Sequence, residues 1–123
     1  MKVEILSIKL ADRTITIEVP GSGITGIEVR EEITKIMDIC NGQLVFNDKL
    51  ELPIRPMIGI IGTAPAGDRV LTGTPGSFGG NMDCKHIGEN TTLYLPVNVE
   101  GALLAIGDLH AVMGDGEVCC LAW

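Results

Sequence analysis

A mainly β fold, a β-sandwich or partial-barrel-like domain with long Gly/Pro-rich loops, is what this sequence predicts. Three observations carry the prediction. Several short segments alternate apolar and polar residues at the period of a strand. No stretch repeats apolar residues at the helical period. Turn formers punctuate the chain, with 16 glycines and 6 prolines among 123 residues. The length fits one small domain spanning residues 1–123.

The first strand is expected over Val3–Leu10, where Glu4, Leu6, Ile8 and Leu10 alternate with Val3, Ile5, Ser7 and Lys9. Ala11-Asp12-Arg13 makes a turn. Thr14–Val19 then alternates strictly and is β-branched, and Pro20-Gly21-Ser22-Gly23 ends it. That glycine-rich loop lacks the Lys-Ser/Thr ending of a phosphate loop. Glu28–Ile36 reads either as helix, from its charges, or as strand, from Ile33 and Thr34. The neighbouring residues favour strand, because Asn41-Gly42 tolerates the positive φ angles of a type I′ turn. Thr34–Phe46 is therefore expected to be a hairpin.

Pro53 and Pro56 confine the next segment to a sheet edge or an extended connection, since proline donates no ladder hydrogen bond. Met57–Ile61 reads as a short apolar strand. Gly62–Gly80 holds two prolines and six glycines in 19 residues and reads as a long loop. Leu93–Val99 and Leu103–Ile106 complete the expected strands.

The charge is −7, which disfavours nucleic acid, because phosphate binding needs clustered Lys and Arg. Aromatic residues make up 3%, leaving few platforms for stacking bases. No basic amphipathic stretch suggests a membrane surface, and the apolar runs are too short to span a bilayer. The acid at Glu4 argues against a signal peptide, so a cytoplasmic location is expected. Cys40, Cys84, Cys119 and Cys120 contain no Cys-x-x-Cys pair and are expected to be reduced and mostly buried.

Chemistry-bearing residues concentrate in the last third. Gly79-Gly80-Asn81-Met82-Asp83 sets a carboxamide and a carboxylate beside two glycines, where backbone can approach a small ligand. The same residue types also make ordinary Asn/Asp turns. In Gly107-Asp108-Leu109-His110 an extended chain would turn Asp108 and His110 to one face. An Asp and a neutral imidazole so placed can share a divalent cation, or act as a base and its orienting partner. Asp115 and Glu117 repeat the spacing in Gly114-Asp115-Gly116-Glu117. A solvated turn cluster is the alternative. His86 beside Lys85 reads as a surface residue.

These segments together resemble the acetamidase/formamidase family. The resemblance lies in Ile54–Gly62, Thr74-Pro75-Gly76, Gly79–Asp83, Leu93–Leu104 and Gly107–Val118, with Val3–Lys9 similar to a family strand. It implies a mainly β fold and hydrolysis of the C–N bond of small linear amides to release ammonia. It also implies a homodimer or higher homo-oligomer and a divalent metal, with Zn²⁺ or Ca²⁺ the candidates. Carried onto this chain, the family's acidic and histidine positions are Asp83, Asp108, His110, Asp115 and Glu117. The resemblance does not assign individual roles; from the residue chemistry we expect Asp83, Asp108 and His110 to hold the metal. Asp115 and Glu117 would move protons, Asn81 would stabilise the oxyanion, and Gly79 and Gly80 would line the substrate. Family members are longer, so the chain is expected to correspond to a central piece of such a protein.

Overall fold

The computed structural model describes residues 1–115. Nine strands and one short 3-10 turn account for the regular structure of those residues. The strands are β1 (Lys2–Ile5), β2 (Arg13–Glu18), β3 (Ile33–Cys40), β4 (Gln43–Asn47) and β5 (Leu50–Pro53). They continue with β6 (Met57–Gly62), β7 (Gly79–Asn81), β8 (Thr91–Tyr94) and β9 (Ala105–His110). The 3-10 turn covers Thr25–Ile27. The mainly β expectation is met, and the sheets are open, not closed into a barrel.

The chain divides into two compact units. One comprises Met1–Ile8 and Met57–Leu109, and the other comprises Lys9–Pro56 with, among the described residues, 110–115. The division falls inside β9, one residue before its end.

In the first unit β1 pairs antiparallel with β8, from Lys2↔Tyr94 to Ile5↔Thr91. A second sheet has the order β7-β6-β9, and β6 meets β7 antiparallel through Ile60↔Asn81, Ile61↔Gly80 and Gly62↔Gly79. Ile5, Ile58, Ile61, Ile87 and Leu95 form its core. Strand β6 is buried along most of its length, as the run Met57-Ile58-Gly59-Ile60-Ile61-Gly62 suggests for a central strand. Thr63, just beyond it, is buried and donates its Oγ1 hydrogen to Pro96 O at 2.9 Å.

The second unit is an antiparallel sheet of order β2-β3-β4-β5. Its central turn is Asn41-Gly42, with φ of 51° and 76°, the left-handed pair that a type I′ hairpin requires. The register Ile39↔Leu44 and Cys40↔Gln43 follows from that two-residue turn. Met37 and Leu44 share the buried face with Ala111. On the opposite face, Ile15 pairs with Ile36, and these two with Ile17 are exposed. Strand β5, which carries Pro53, is an edge of the sheet, as its proline demands.

Four expectations are corrected. The first strand stops at Ile5, and Leu6 is 77% exposed rather than part of a buried alternation. The strand expected over Leu93–Val99 starts and ends earlier, at Thr91–Tyr94, because Pro96 and the chain after it leave the ladder. The strand expected over Leu103–Ile106 begins at Ala105 and runs through His110, because Ala102 and Leu103 adopt positive φ and cannot join it. Cys40 is exposed at the end of β3, on the outward face it shares with Ile36 and Asp38. Cys84 is half-buried, and Cys119 and Cys120 lie outside the described residues.

Candidate functional site

The site grows from the middle strand of the β7-β6-β9 sheet. Gly59 on β6 accepts two backbone hydrogen bonds on its carbonyl, from Met82 N at 3.1 Å and Asp83 N at 3.2 Å. These bonds tie down the segment that leaves β7 and fix where Asp83 emerges. On the other side of β6, β9 brings Asp108 alongside. A Cβ added to Gly59 would fall 2.6 Å from Asp83 Oδ1, 2.8 Å from Asp108 Oδ2 and 2.8 Å from Asp108 O. The two carboxylates therefore close over a backbone that carries no side chain.

His110 ends β9, two residues after Asp108, and is 2% exposed. One ligand atom from each of Asp83, Asp108 and His110 lies within 4.8 Å of the other two. Asp83 and Asp108 are half-buried. Both also have left-handed backbone, with φ of 44° and 52°. Asp tolerates that region better than most residues, yet it costs energy relative to an ordinary strand. The pairing of Asp108 with His110 is thus reached through an irregular strand and not through a regular pleat.

Two carboxylates brought this close repel one another, and a cation between them relieves the repulsion. Two oxygen donors and one imidazole suit a divalent ion such as Zn²⁺, and the oxygens also suit Ca²⁺. The glycine cradle under the carboxylates leaves room for that convergence, so the residues present fit a divalent metal.

Other residues singled out in the sequence fall in several places. Gly79 and Gly80 are buried in β7, with φ of 94° and 103°. Both glycines are favoured by that left-handed φ; a Cβ at Gly79 would in addition collide with Ile61 O, and one at Gly80 would press on the Phe78 ring at 3.0 Å. Asn81 ends β7, and its Oδ1 is buried with no hydrogen-bond partner among the described residues. Asp115 is exposed, and Glu117 lies outside the described residues. His86 is exposed, as a surface residue would be. Gly59 was not singled out in the sequence; its place in Ile58-Gly59-Ile60 was the only signal, a glycine interrupting an apolar strand.

Residues 66–122 match the model of the acetamidase/formamidase family. The chain is 46% identical over 55 residues to an acetamidase of Mycolicibacterium smegmatis, a match covering 45% of this chain and 14% of that protein. It is 40% identical over 53 residues to a formamidase of Methylophilus methylotrophus, covering 43% of this chain and 13% of that protein. Its fold superposes on the crystal structure of an acetamidase from Bacillus halodurans with a TM-score of 0.89 and 49% identity, over 96% of this chain and 40% of that one. The chain thus spans less than half the length of the relatives it matches. A family match over residues 66–122, near-half sequence identity and a shared backbone agree that this chain is similar to members of the acetamidase/formamidase family.

Proposed function

We propose that this chain carries the metal-holding part of an amidohydrolase site acting on small linear amides such as formamide and acetamide, with release of ammonia. The convergence of Asp83, Asp108 and His110 within 4.8 Å is the observation that carries the reading. The names of the relatives supply the substrate class.

In this reading Asp83, Asp108 and His110 hold a divalent cation. Such an ion, when bound, polarises a carbonyl and makes a water more acidic. Asp115 and Glu117 accept the proton of the attacking water and pass it to the departing nitrogen, so that ammonia leaves and a carboxylate remains. Asn81 meets the polar end of the substrate. Its amide N–H₂ can donate to the developing oxyanion. Its buried Oδ1 would accept from the substrate's own N–H, since an unsatisfied buried acceptor costs about 1–3 kcal/mol. Gly79 and Gly80 shape the backbone next to it. Self-association into a homodimer or larger assembly is part of the same reading. Its support is the open face of Ile15, Ile17 and Ile36 and the two edge strands of that sheet.

Ammonia release from formamide and acetamide, measured before and after chelation, tests the function. We expect turnover that chelator removes, that Zn²⁺ or Ca²⁺ restores, and that Asp108→Ala abolishes. Turnover indifferent to both chelator and Asp108→Ala would overturn the cation role.

A second reading is favoured by coverage, since the chain spans 40% of the length of the Bacillus halodurans enzyme. It is a non-enzymatic metal- or ligand-binding β module. Calorimetric titration that shows cation binding without ammonia release selects it.

A further inference from the structure

We propose that Gly59 is a positioning residue of this site: the side chain it lacks is the space in which the carboxylates of Asp83 and Asp108 come together. The inference rests on the cation role proposed above and deepens it, because Gly59 offers no ligand atom of its own.

Glycine on a buried strand usually has one of two explanations. Either neighbouring backbone comes too close for a Cβ, or a functional group occupies the Cβ position. On strand β6 the first explanation accounts for Gly62, and at Gly59 the second joins it. At Gly62 the nearest atoms to an added Cβ are Gly80 N at 2.8 Å, Phe78 O at 2.9 Å and Gly79 C at 3.4 Å, all of them backbone. At Gly59 two of the three nearest atoms are carboxylate oxygens, Asp83 Oδ1 at 2.6 Å and Asp108 Oδ2 at 2.8 Å. No φ in the left-handed region explains either glycine. At Gly59 the requirement for glycine is thus set by the two carboxylates together with the backbone carbonyl of Asp108.

A methyl group there cannot be absorbed by a small adjustment. The contacts are shorter than carbon and oxygen tolerate, and Asp108 O, at 2.8 Å, is backbone that cannot swing aside. The backbone bearing Asp108 must shift and the carboxylates rotate away from the strand, and both changes loosen their convergence. The Gly59 carbonyl, which receives Met82 N and Asp83 N, couples that displacement to the segment bearing Asp83.

Calorimetric titration of the full chain with Zn²⁺, Mn²⁺ and Ca²⁺ tests this, with Gly59→Ala compared against Gly62→Ala. Both variants add one methyl to β6 and both should lower the thermal midpoint. We expect Gly59→Ala to weaken cation binding by about 10–100-fold, the range seen when a group supporting metal ligands is lost. Gly62→Ala, measured where it is folded, should leave affinity unchanged. A metal-free double-mutant cycle gives a second readout: the fall in midpoint caused by Gly59→Ala should shrink in an Asp83→Ala background, where the nearest colliding oxygen is gone. Native affinity in Gly59→Ala, equal losses in the two glycine variants, or strict additivity in the cycle would overturn the proposal. If the native chain binds none of the three cations, the cation role fails by itself. The cycle then decides whether Gly59 seats the carboxylates.

Discussion

At the scale of single residues, the site is held on backbone that its own side chains disfavour. Asp108 sits in a strand with φ of 52°, and Asp83 follows β7 with φ of 44°. A non-glycine residue in the left-handed region costs about 1–2 kcal/mol, less when a short polar side chain can bond locally. The left-handed φ of Asp108 therefore carries a stability cost that ordinary strand geometry would not. We expect Asp108→Gly to be more stable than Asp108→Ala by about 1 kcal/mol in chemical denaturation without metal, because glycine accepts that φ freely. Asp108→Asn should fall between them. An alanine variant as stable as the glycine variant would show that the backbone relaxes and that no strain is stored. Asp108 and His110 were legible in the sequence through their i, i+2 spacing, and Asp83 through the company it keeps in Gly79–Asp83. Gly59 was not legible, because the meaning of an absent side chain depends on which atoms would collide with a present one.

At the scale of elements, local turn chemistry was the surest guide. Asn41-Gly42 signalled a hairpin and its register, because a two-residue turn leaves little choice. Gly42 has φ of 76° and open space around its Cβ position, so replacing it tests conformation alone. Gly42→Ala should cost about 1–2 kcal/mol in denaturant unfolding, the left-handed penalty with no clash added. Gly42→Asn should cost less. A neutral Gly42→Ala would mean that the turn can change type without disturbing the pairing of β3 with β4. Alternation was a weaker guide. It found β2 from Thr14–Val19 but carried no information on which face is covered, and Thr16 is buried where Ile15 and Ile17 are not. It also extended β1 past Ile5, since apolar residues at alternate positions continue there without a neighbouring strand to pair with.

At the scale of the whole molecule, the division into two units was not legible, because neither unit is continuous in sequence. Residues 1–8 join 57–109, and residues 9–56 join 110–115. Such groupings are set by tertiary pairing such as β1 with β8, 94 residues apart at the Met1 to Leu95 hydrogen bond, which no local pattern announces. Among the described residues no helix is long and apolar enough to cross a membrane. The uncovered face of Ile15, Ile17 and Ile36 bears on assembly, since contiguous exposed apolar surface favours burial against another copy. Sedimentation velocity should therefore show association that grows with concentration, and Ile36→Lys should shift it toward monomer without lowering the thermal midpoint. A native chain that stays monomeric at every concentration would remove this role for the face.

That same isoleucine face also governs how the protein can be watched as it melts. Fluorescent probes that brighten on greasy surfaces report unfolding only when the starting state is dark to them. Here the folded sheet already presents Ile15, Ile17 and Ile36 to such a probe. A dye-based melt would begin bright and could even dim on heating, so circular dichroism is the signal that follows the loss of these strands.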